Sequence, residues 1–198
     1  MPVIDPITDA KARLRLAAKT RRALLSPEAR QIAGVAVAGL GLDFLPERPT
    51  AGAIVGGFMP IGEEISPLPL MARLHGEGYR LALPVMMGKA QPLQFRTYAP
   101  GDRLVAAVWG IREPGPEQPV VEPDIIVAAL LAFDGRGYRL GYGGGYYDRS
   151  ICALRSVKSL LTIGLAFDQQ RVDAVPHLDY DEPLDWILTP SGARRTRP

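Results

Sequence analysis

The chain has 198 residues, of which 47% are apolar and 22% are charged, with a net charge of +2 at neutral pH. This composition is that of an ordinary globular protein, and the length suits a single domain with a core that needs no disulfide. One cysteine and the absence of an apolar run near the roughly 20 residues that span a bilayer lead us to expect a cytoplasmic protein with no membrane partner. The small net charge argues neither for nor against nucleic acid; we expect no nucleic-acid partner and a monomer or weak homodimer.

Two helices are predicted at the start of the chain. Residues 9–25 space their apolar side chains at helical intervals among lysines and arginines, which indicates an amphipathic basic helix. Ser26-Pro27-Glu28 then provides an N-cap, a proline in the first turn and an early acid, so a second helix should run to about Leu40, before Gly41.

Short apolar runs alternate with helical segments through the rest of the chain. Five runs are predicted as buried strands, at residues 51–58, 79–85, 124–131, 160–167 and 185–189, with crossover helices at residues 67–75 and 146–154. This alternation predicts a single α/β domain with a mostly parallel central sheet. Sheets of this type bind ligands at the carboxyl ends of their strands.

Three stretches are less regular. Residues 93–96 and 103–108 are predicted as a hairpin or as short strands added to the sheet, and residues 113–123, rich in proline and glycine, as a loop. Residues 191–198 are predicted as a flexible basic tail at the end of the single domain, residues 1–198.

A glycine-rich loop is the most informative segment. The apolar residues 125–133 are predicted as one buried strand that runs into the glycines at 141, 143, 144 and 145, and a helix should begin at Tyr146. Strand, glycine loop and helix N-terminus form an arrangement that binds phosphate, and Asp148 in the first helical turn could hold a magnesium ion against phosphate oxygens. The alternative is a tight turn without a ligand. The pattern is neither a Walker loop nor a dinucleotide fingerprint.

Several segments together resemble one family, 5-formyltetrahydrofolate cyclo-ligase. They are Lys11-x-x-x-Arg15, Phe58-Met59-Pro60 with Glu64, residues 81–85, residues 110–114, residues 132–134 leading through Arg139 to Arg149, and residues 164–170 followed by Val175-Pro176 and Asp181. The resemblance covers nearly the whole chain and implies a three-layer α/β/α sandwich. It also implies an enzyme that converts 5-formyltetrahydrofolate and MgATP into 5,10-methenyltetrahydrofolate, ADP and phosphate, by phosphorylation of the formyl oxygen and attack by N10.

The resemblance also implies roles for individual residues. The catalytic residues would be Lys11, Arg139 and Tyr147, and the ligands of a magnesium ion would be Asp148 and Asp181. The ATP-binding residues would be Lys11, Arg15, Arg139, Leu140, Gly141, Tyr142, Gly143, Gly144, Gly145, Tyr146 and Tyr147. The folate-binding residues would be Met59, Glu64, Trp109 and Tyr146.

Each role has a structural alternative when it is judged from the residues alone. Lys11 and Arg15 could be a solvated helix face, Asp181 a surface-turn acid and Glu64 an acid in the first turn of the following helix. Met59 and Trp109 could belong to the core. Phe58, Ala129 and Tyr180 depart from the family pattern, and none of these departures removes a charge that the reaction uses.

Two other functions remain open at this point. The chain could be a noncatalytic ATP-binding regulatory module on the same fold. It could also be a sugar-phosphate isomerase or CoA transferase on a related α/β architecture, which rests on fold analogy alone.

Overall fold

Eight strands form the central sheet of the computed structural model, which describes residues 5–197 except the side chain of Trp109. The four helices are α1 Pro6–Ala23, α2 Pro27–Leu40, α3 Leu68–Gly76 and α4 Tyr146–Arg155. The strands are β1 Ile54–Gly56, β2 Arg80–Met86, β3 Leu93–Tyr98, β4 Leu104–Ala106, β5 Arg112–Pro114, β6 Val120–Val121, β7 Ile125–Ala129, β8 Ala132–Phe133, β9 Arg139–Leu140, β10 Leu161–Leu165, β11 Trp186–Thr189 and β12 Gly192–Arg195.

The middle of the sheet is parallel and its edges are antiparallel. The strand order is β12-β11-β10-β7-β1-β2-β3-β6, and the five strands from β11 to β2 are mutually parallel. α3 connects β1 to β2, and α4 lies on the connection from β7 to β10, as the sequence predicted. The carboxyl ends of β7 and its neighbour β1 therefore meet at one edge of the sheet.

The first two helices begin where their capping residues lie. The Asp5 side chain accepts a hydrogen bond from the Thr8 amide ahead of Pro6, so α1 starts three residues earlier than predicted. The Ser26 hydroxyl accepts from the Ala29 amide at 3.1 Å, and α2 ends at Gly41, which has a φ of +54°. The predicted bounds of α2 are confirmed.

Helices cover both faces of the sheet, which confirms the predicted α/β/α layers. One apolar cluster lies between the sheet and α2 and α3, and includes Val37, Leu74 and Val127. A second lies on the other face and includes Ile151 of α4. A third cluster lies where Ala18 of α1 packs on the β8–β9 ribbon, so α1 lies next to the segment that carries the glycine loop.

The predicted strand over residues 125–133 is broken in two. β7 pairs with β10 as far as Ala129, and the Leu131 amide then donates to the Leu140 carbonyl at 2.7 Å. The chain thus leaves the central sheet and forms the two-stranded β8–β9 ribbon. All of these residues are apolar, so their pattern could not mark the change of partner.

The irregular stretches also differ in part from their predictions. β3 joins the main sheet beside β2, whereas β4 pairs with β5 in a separate ribbon. Residues 113–123 contribute to β5 and form β6 at the sheet edge, so they are not only a loop. Residues 192–195 form β12, antiparallel to β11, in place of a flexible tail. Within residues 5–197, the helices all lack the combination of length and hydropathy that crossing a bilayer requires.

Candidate functional site

The glycine loop lies between the β8–β9 ribbon and α4. Gly143 has a φ of +106° and Gly145 a φ of +63°, conformations in which a side chain would be strained. Gly145 is the N-cap of α4 and offers no side chain to its amides. No side chain of Gly145 caps the first amides of α4. A helix terminus that binds an anion needs such uncapped amides.

Residues of α4 hold this loop in place. Arg149 Nη2 donates to the Gly144 carbonyl at 2.5 Å, and its guanidinium lies 5.4 Å from the centre of the Tyr146 ring. A Cβ on Gly144 would lie 2.6 Å from the Tyr146 ring, whereas a Cβ on Gly141 would meet nothing within 4 Å. Gly144 is thus required by packing and Gly143 by backbone conformation.

Two basic side chains of α1 reach the site, Arg15 at the glycine loop and Lys11 at Asp181. Lys11 forms an ion pair with Asp181, and the two side chains are only 12% and 14% exposed. Arg15 Nε donates to the Gly141 carbonyl at 2.9 Å. Lys11 and Arg15 therefore contact other parts of the site instead of forming a solvated helix face.

Arg22 is a third basic residue of α1 at the site, and the sequence analysis missed it. Its side chain is 3% exposed, and Nη2 donates to the Tyr142 hydroxyl at 2.6 Å. Lys11, Arg15, Ala18 and Arg22 are spaced i, i+4, i+7 and i+11, which places them on one face of the helix. That spacing was the signal that could have identified Arg22.

Asp148 lies in the first turn of α4, as predicted, and already has partners. Its Oδ1 accepts from Arg139 Nη2 at 2.8 Å and from the Glu182 amide at 3.1 Å. Arg139 also donates to the Glu182 carbonyl at 2.7 Å, and its side chain is 4% exposed. Asp148 is thereby attached to the residue that follows Asp181, so the two acids predicted to bind a metal belong to one cluster.

The donor set of this cluster fits a magnesium ion. Asp181 Oδ2 accepts from Lys11 and from the Leu178 amide, while Oδ1 accepts no hydrogen bond from the described residues, and the same is true of Asp148 Oδ2. Within residues 5–197 no three His, Cys, Asp or Glu side chains converge. Two carboxylates with one free oxygen each suit Mg²⁺, which takes its remaining ligands from phosphate and water.

Glu64 is a buried carboxylate, 7% exposed, beyond the carboxyl end of β1. Its Oε2 accepts from the Ile61 amide at 2.8 Å, closing a turn. It is not a first-turn acid of α3, which has none. Burial raises the pKa of Glu64, and the Ile61 hydrogen bond and the Arg22 charge offset that rise only in part.

Tyr142 of the glycine loop and Tyr147 of α4 both lie close enough to Glu64 to feel its charge. Burial raises the pKa of Tyr147, the nearby Glu64 charge raises it further, and the Arg139 guanidinium lies 5.8 Å from its ring centre. Burial also raises the pKa of Tyr142. Both phenols are therefore protonated at neutral pH and can donate a hydrogen bond.

The other residues implied by the family resemblance lie in different environments. Met59 is partly buried against the core, and the Leu140 side chain is fully buried beneath α1. The Trp109 side chain lies outside the described part of the chain. Of the three departures, Phe58 is buried, Ala129 is half-buried, and Tyr180 is exposed, with its ring centre 5.8 Å from Lys11 Nζ.

The fold is that of an α/β protein with a mostly parallel sheet, and the candidate site lies near the carboxyl ends of its central strands. A sequence model of the 5-formyltetrahydrofolate cyclo-ligase family matches residues 7–190. The chain is 34% identical over 178 residues to 5-formyltetrahydrofolate cyclo-ligase of Escherichia coli, a match that covers 87% of this chain and 96% of that one. It is 34% identical over 148 residues to the protein of the same name from Mycolicibacterium smegmatis, covering 71% and 75%.

A solved structure agrees with these sequence matches. The NMR structure of 5,10-methenyltetrahydrofolate synthetase from Aquifex aeolicus superimposes with a TM-score of 0.76 at 31% identity, over 95% of this chain and 93% of that one. The chain belongs to the 5-formyltetrahydrofolate cyclo-ligase family. It is therefore a ligase of folate one-carbon metabolism, and the family resemblance found in the sequence is confirmed.

Proposed function

We propose that the protein catalyses the ATP-dependent cyclisation of 5-formyltetrahydrofolate to 5,10-methenyltetrahydrofolate, with release of ADP and phosphate. The observation that carries this proposal is the convergence of Lys11, Arg15, Arg139 and the glycine loop on one cluster that also holds Asp148 and Asp181, next to the buried Glu64. Family membership supports the reaction, and the cluster contains groups suited to a triphosphate, its metal and a pterin.

The chemistry explains why ATP is needed. The N5-formyl group is an amide, and closing the ring from N10 would require the formyl oxygen to leave as hydroxide. Transfer of the γ-phosphoryl group of ATP to that oxygen releases ADP and creates a better leaving group. N10 then attacks the formyl carbon and loses its proton, and the C–O bond breaks to release phosphate.

Positioning and charge stabilisation are the main tasks of a protein in phosphoryl transfer. Amides of the glycine loop and of the first turn of α4 would bind the phosphate oxygens, with Lys11, Arg15 and Arg139 opposite them. Tyr142, Tyr146 and Tyr147 line the same loop, and the protonated Tyr147 hydroxyl is available as a donor toward the phosphoryl or formyl oxygen. Lys11, Arg139 and Tyr147 are the residues proposed to act on the reacting atoms.

Asp148 and Asp181 are the residues that would hold a magnesium ion, through the oxygens that carry no hydrogen bond from the described chain. A bound Mg²⁺ supplies charge neutralisation to the phosphate oxygens. The ion is needed because a triphosphate and two carboxylates would otherwise repel one another.

Glu64 is proposed to bind the pterin. A carboxylate accepts two hydrogen bonds from an amino-pyrimidine edge, and such charge-assisted bonds are stronger than neutral ones. Met59, Tyr146 and Trp109 are proposed to line the rest of the folate site.

The test is a mixture of purified protein, 5-formyltetrahydrofolate and MgATP, watched for the near-ultraviolet absorption of the methenyl product. We expect product only when ATP and the metal are both present, and none with excess EDTA. ATP binding without any product would instead favour a noncatalytic regulatory module. Undiminished turnover in EDTA would contradict the metal assignment and leave the reaction in place.

A further inference from the structure

Arg22 is the least satisfied buried charge in the described chain. Its side chain is 3% exposed, yet its Nε and Nη1 have no hydrogen-bond partner in the structure. Leaving a buried donor unpaired costs about 1–3 kcal/mol, and more when the group is charged. A charge that is buried at this cost calls for an explanation.

The surroundings of Arg22 show which groups it acts on. Nη2 is hydrogen-bonded to the Tyr142 hydroxyl on the glycine loop. Nη1 lies 3.9 Å from Glu64 Oε1, and Nη2 lies 3.8 Å from Glu63 Oε2, distances of ion pairing that are too long for hydrogen bonds. One guanidinium thus lies between the segment proposed to bind the pterin and the loop proposed to bind ATP.

The Arg22 charge favours the ionised form of Glu64, as the Ile61 hydrogen bond does, against the effect of burial. The titratable groups that act on Glu64 are Arg22, which favours the ionised form, Glu63, which opposes it, and the hydroxyl of Tyr142; Tyr147 lies close enough to feel the Glu64 charge in turn. Within residues 5–197, Arg22 is the basic side chain that forms an ion pair with Glu64. Removing it would leave a buried carboxylate beside a second acid.

We propose that Arg22 is a positioning residue that keeps Glu64 ionised for pterin binding and links it, through Tyr142, to the glycine loop. The inference rests on the proposed function. It adds a residue that contacts neither the formyl group nor the γ-phosphoryl group. Arg22 acts on folate through Glu64 and on the loop through a single hydrogen bond.

The experiment measures kcat/KM for 5-formyltetrahydrofolate at saturating MgATP between pH 5 and 8. Glu64 must be ionised to bind the pterin, so activity should fall on the acidic side as Glu64 is protonated. In Arg22→Gln the loss of the positive charge raises the pKa of Glu64, and the acidic limb should move up by about one pH unit. On the acidic limb, where Glu64 is mostly protonated, kcat/KM for folate should fall up to about tenfold at a given pH; well above the limb the change should be small, and the KM for ATP should change far less throughout.

Glu63→Gln should shift the acidic limb in the direction opposite to Arg22→Gln. The Glu63 side chain is 47% exposed, so this substitution should leave the fold intact. It removes the negative charge that competes for Arg22 and opposes ionisation of Glu64, and the acidic limb should move to lower pH. Arg13→Gln, on the same helix with a side chain 81% exposed, is the control and should leave the profile unchanged.

The outcomes separate this inference from the proposed function. A wild-type protein that forms no methenyl product contradicts the function itself. If the wild type is active and the acidic limb does not move in a folded Arg22→Gln variant, the role of Arg22 alone is overturned. If Arg22→Gln does not fold, an unmoved limb in Glu63→Gln has the same meaning. Opposite shifts in the two variants support it.

Discussion

Asp148 is the residue whose substitution best tests the phosphate site. Asp148→Asn keeps an oxygen that can accept from the Glu182 amide but removes the charge that pairs with Arg139, whose side chain is 4% exposed. We expect kcat to fall at least about 100-fold because metal and phosphate positioning would be lost. Stability should fall by about 2 to 3 kcal/mol because the buried Arg139 loses its partner, which thermal unfolding would measure.

Asp124 supplies the matched control, because it has the same kinds of partner at the opposite end of β7. It accepts from Lys158 Nζ at 2.5 Å and from the Ile54 amide at 2.8 Å. Asp124→Asn should lower the melting temperature and leave kcat within about threefold of wild type. Equal losses of kcat in the two variants would mean that Asp148 acts through stability only.

Glu64→Gln should separate folate binding from stability. The amide can accept only one of two hydrogen bonds from a pterin edge, so the folate KM should rise by roughly 30-fold or more while the ATP KM stays close to wild type. Burial raises the pKa of Glu64, so its charge disfavours the folded state as the pH rises above its ordinary pKa. Melting curves at pH 5 and pH 8 should therefore show that Glu64→Gln lacks the loss of stability that the Glu64 charge causes in the wild-type protein at the higher pH. A higher ATP KM would instead move Glu64 to the nucleotide side.

The positions of the charged site residues could be predicted from the sequence only in part. Lys11, Arg139 and Asp148 lie in recognisable motifs and come together in the structure. Helical spacing places Arg22 on the same face as Lys11 and Arg15, but its contacts with Tyr142 and Glu64, which are far away in sequence, carry no local signal. Buried polar contacts of this kind are decided by tertiary packing, which local patterns do not encode.

At the scale of elements, the positive φ of Gly143 predicts how the glycine loop responds to an added side chain. Gly143 has a φ of +106°, so Gly143→Ala should cost about 1 kcal/mol or more of stability and shift the loop. Since the loop amides are proposed to bind phosphate, the ATP KM should rise at least about tenfold. Steady-state kinetics and calorimetric ATP titration would measure both effects.

Two other glycines separate strain from space. Gly52 has a φ of +91° and open space around its Cβ position, at the amino end of β1, so Gly52→Ala should lower stability similarly without a change in ATP KM. Gly141 has ordinary φ and open space, so Gly141→Ala should keep the stability of wild type. A higher ATP KM in that variant would mean that the added methyl group occupies space needed by the phosphates.

The elements themselves were mostly predictable, and the exceptions have a common cause. α2 follows from its capping residues, α3 and α4 follow from apolar spacing, and the central strands follow from apolar runs. The break after Ala129 and the strand at residues 192–195 depend on which partner is hydrogen-bonded, Leu140 in one case and β11 in the other. Strand pairing is a property of the assembled sheet, so a local pattern could not indicate either feature.

For the molecule as a whole, α1 is the element that should respond to ligand. Its apolar contact with the domain is a small cluster around Ala18, and much of its remaining attachment is made by Lys11, Arg15 and Arg22 at the site. MgATP should therefore slow amide hydrogen exchange in residues 7–23. α2 packs on a face of the sheet away from the loop and serves as the internal reference; equal slowing in α1 and α2 would indicate global stabilisation.

The ion pairs of the site have one more consequence. Lys11 and Arg139 are each neutralised by a carboxylate, Asp181 and Asp148, whereas Arg15 forms no ion pair with the described acids. A triphosphate bound at the proposed site would displace those two carboxylates, and each displaced acid would then need a cation of its own. Without nucleotide, Lys11 and Arg139 thus neutralise the two carboxylates that a divalent ion would neutralise in the proposed complex. Nucleotide and metal should accordingly strengthen each other's binding by the same factor, as linkage requires.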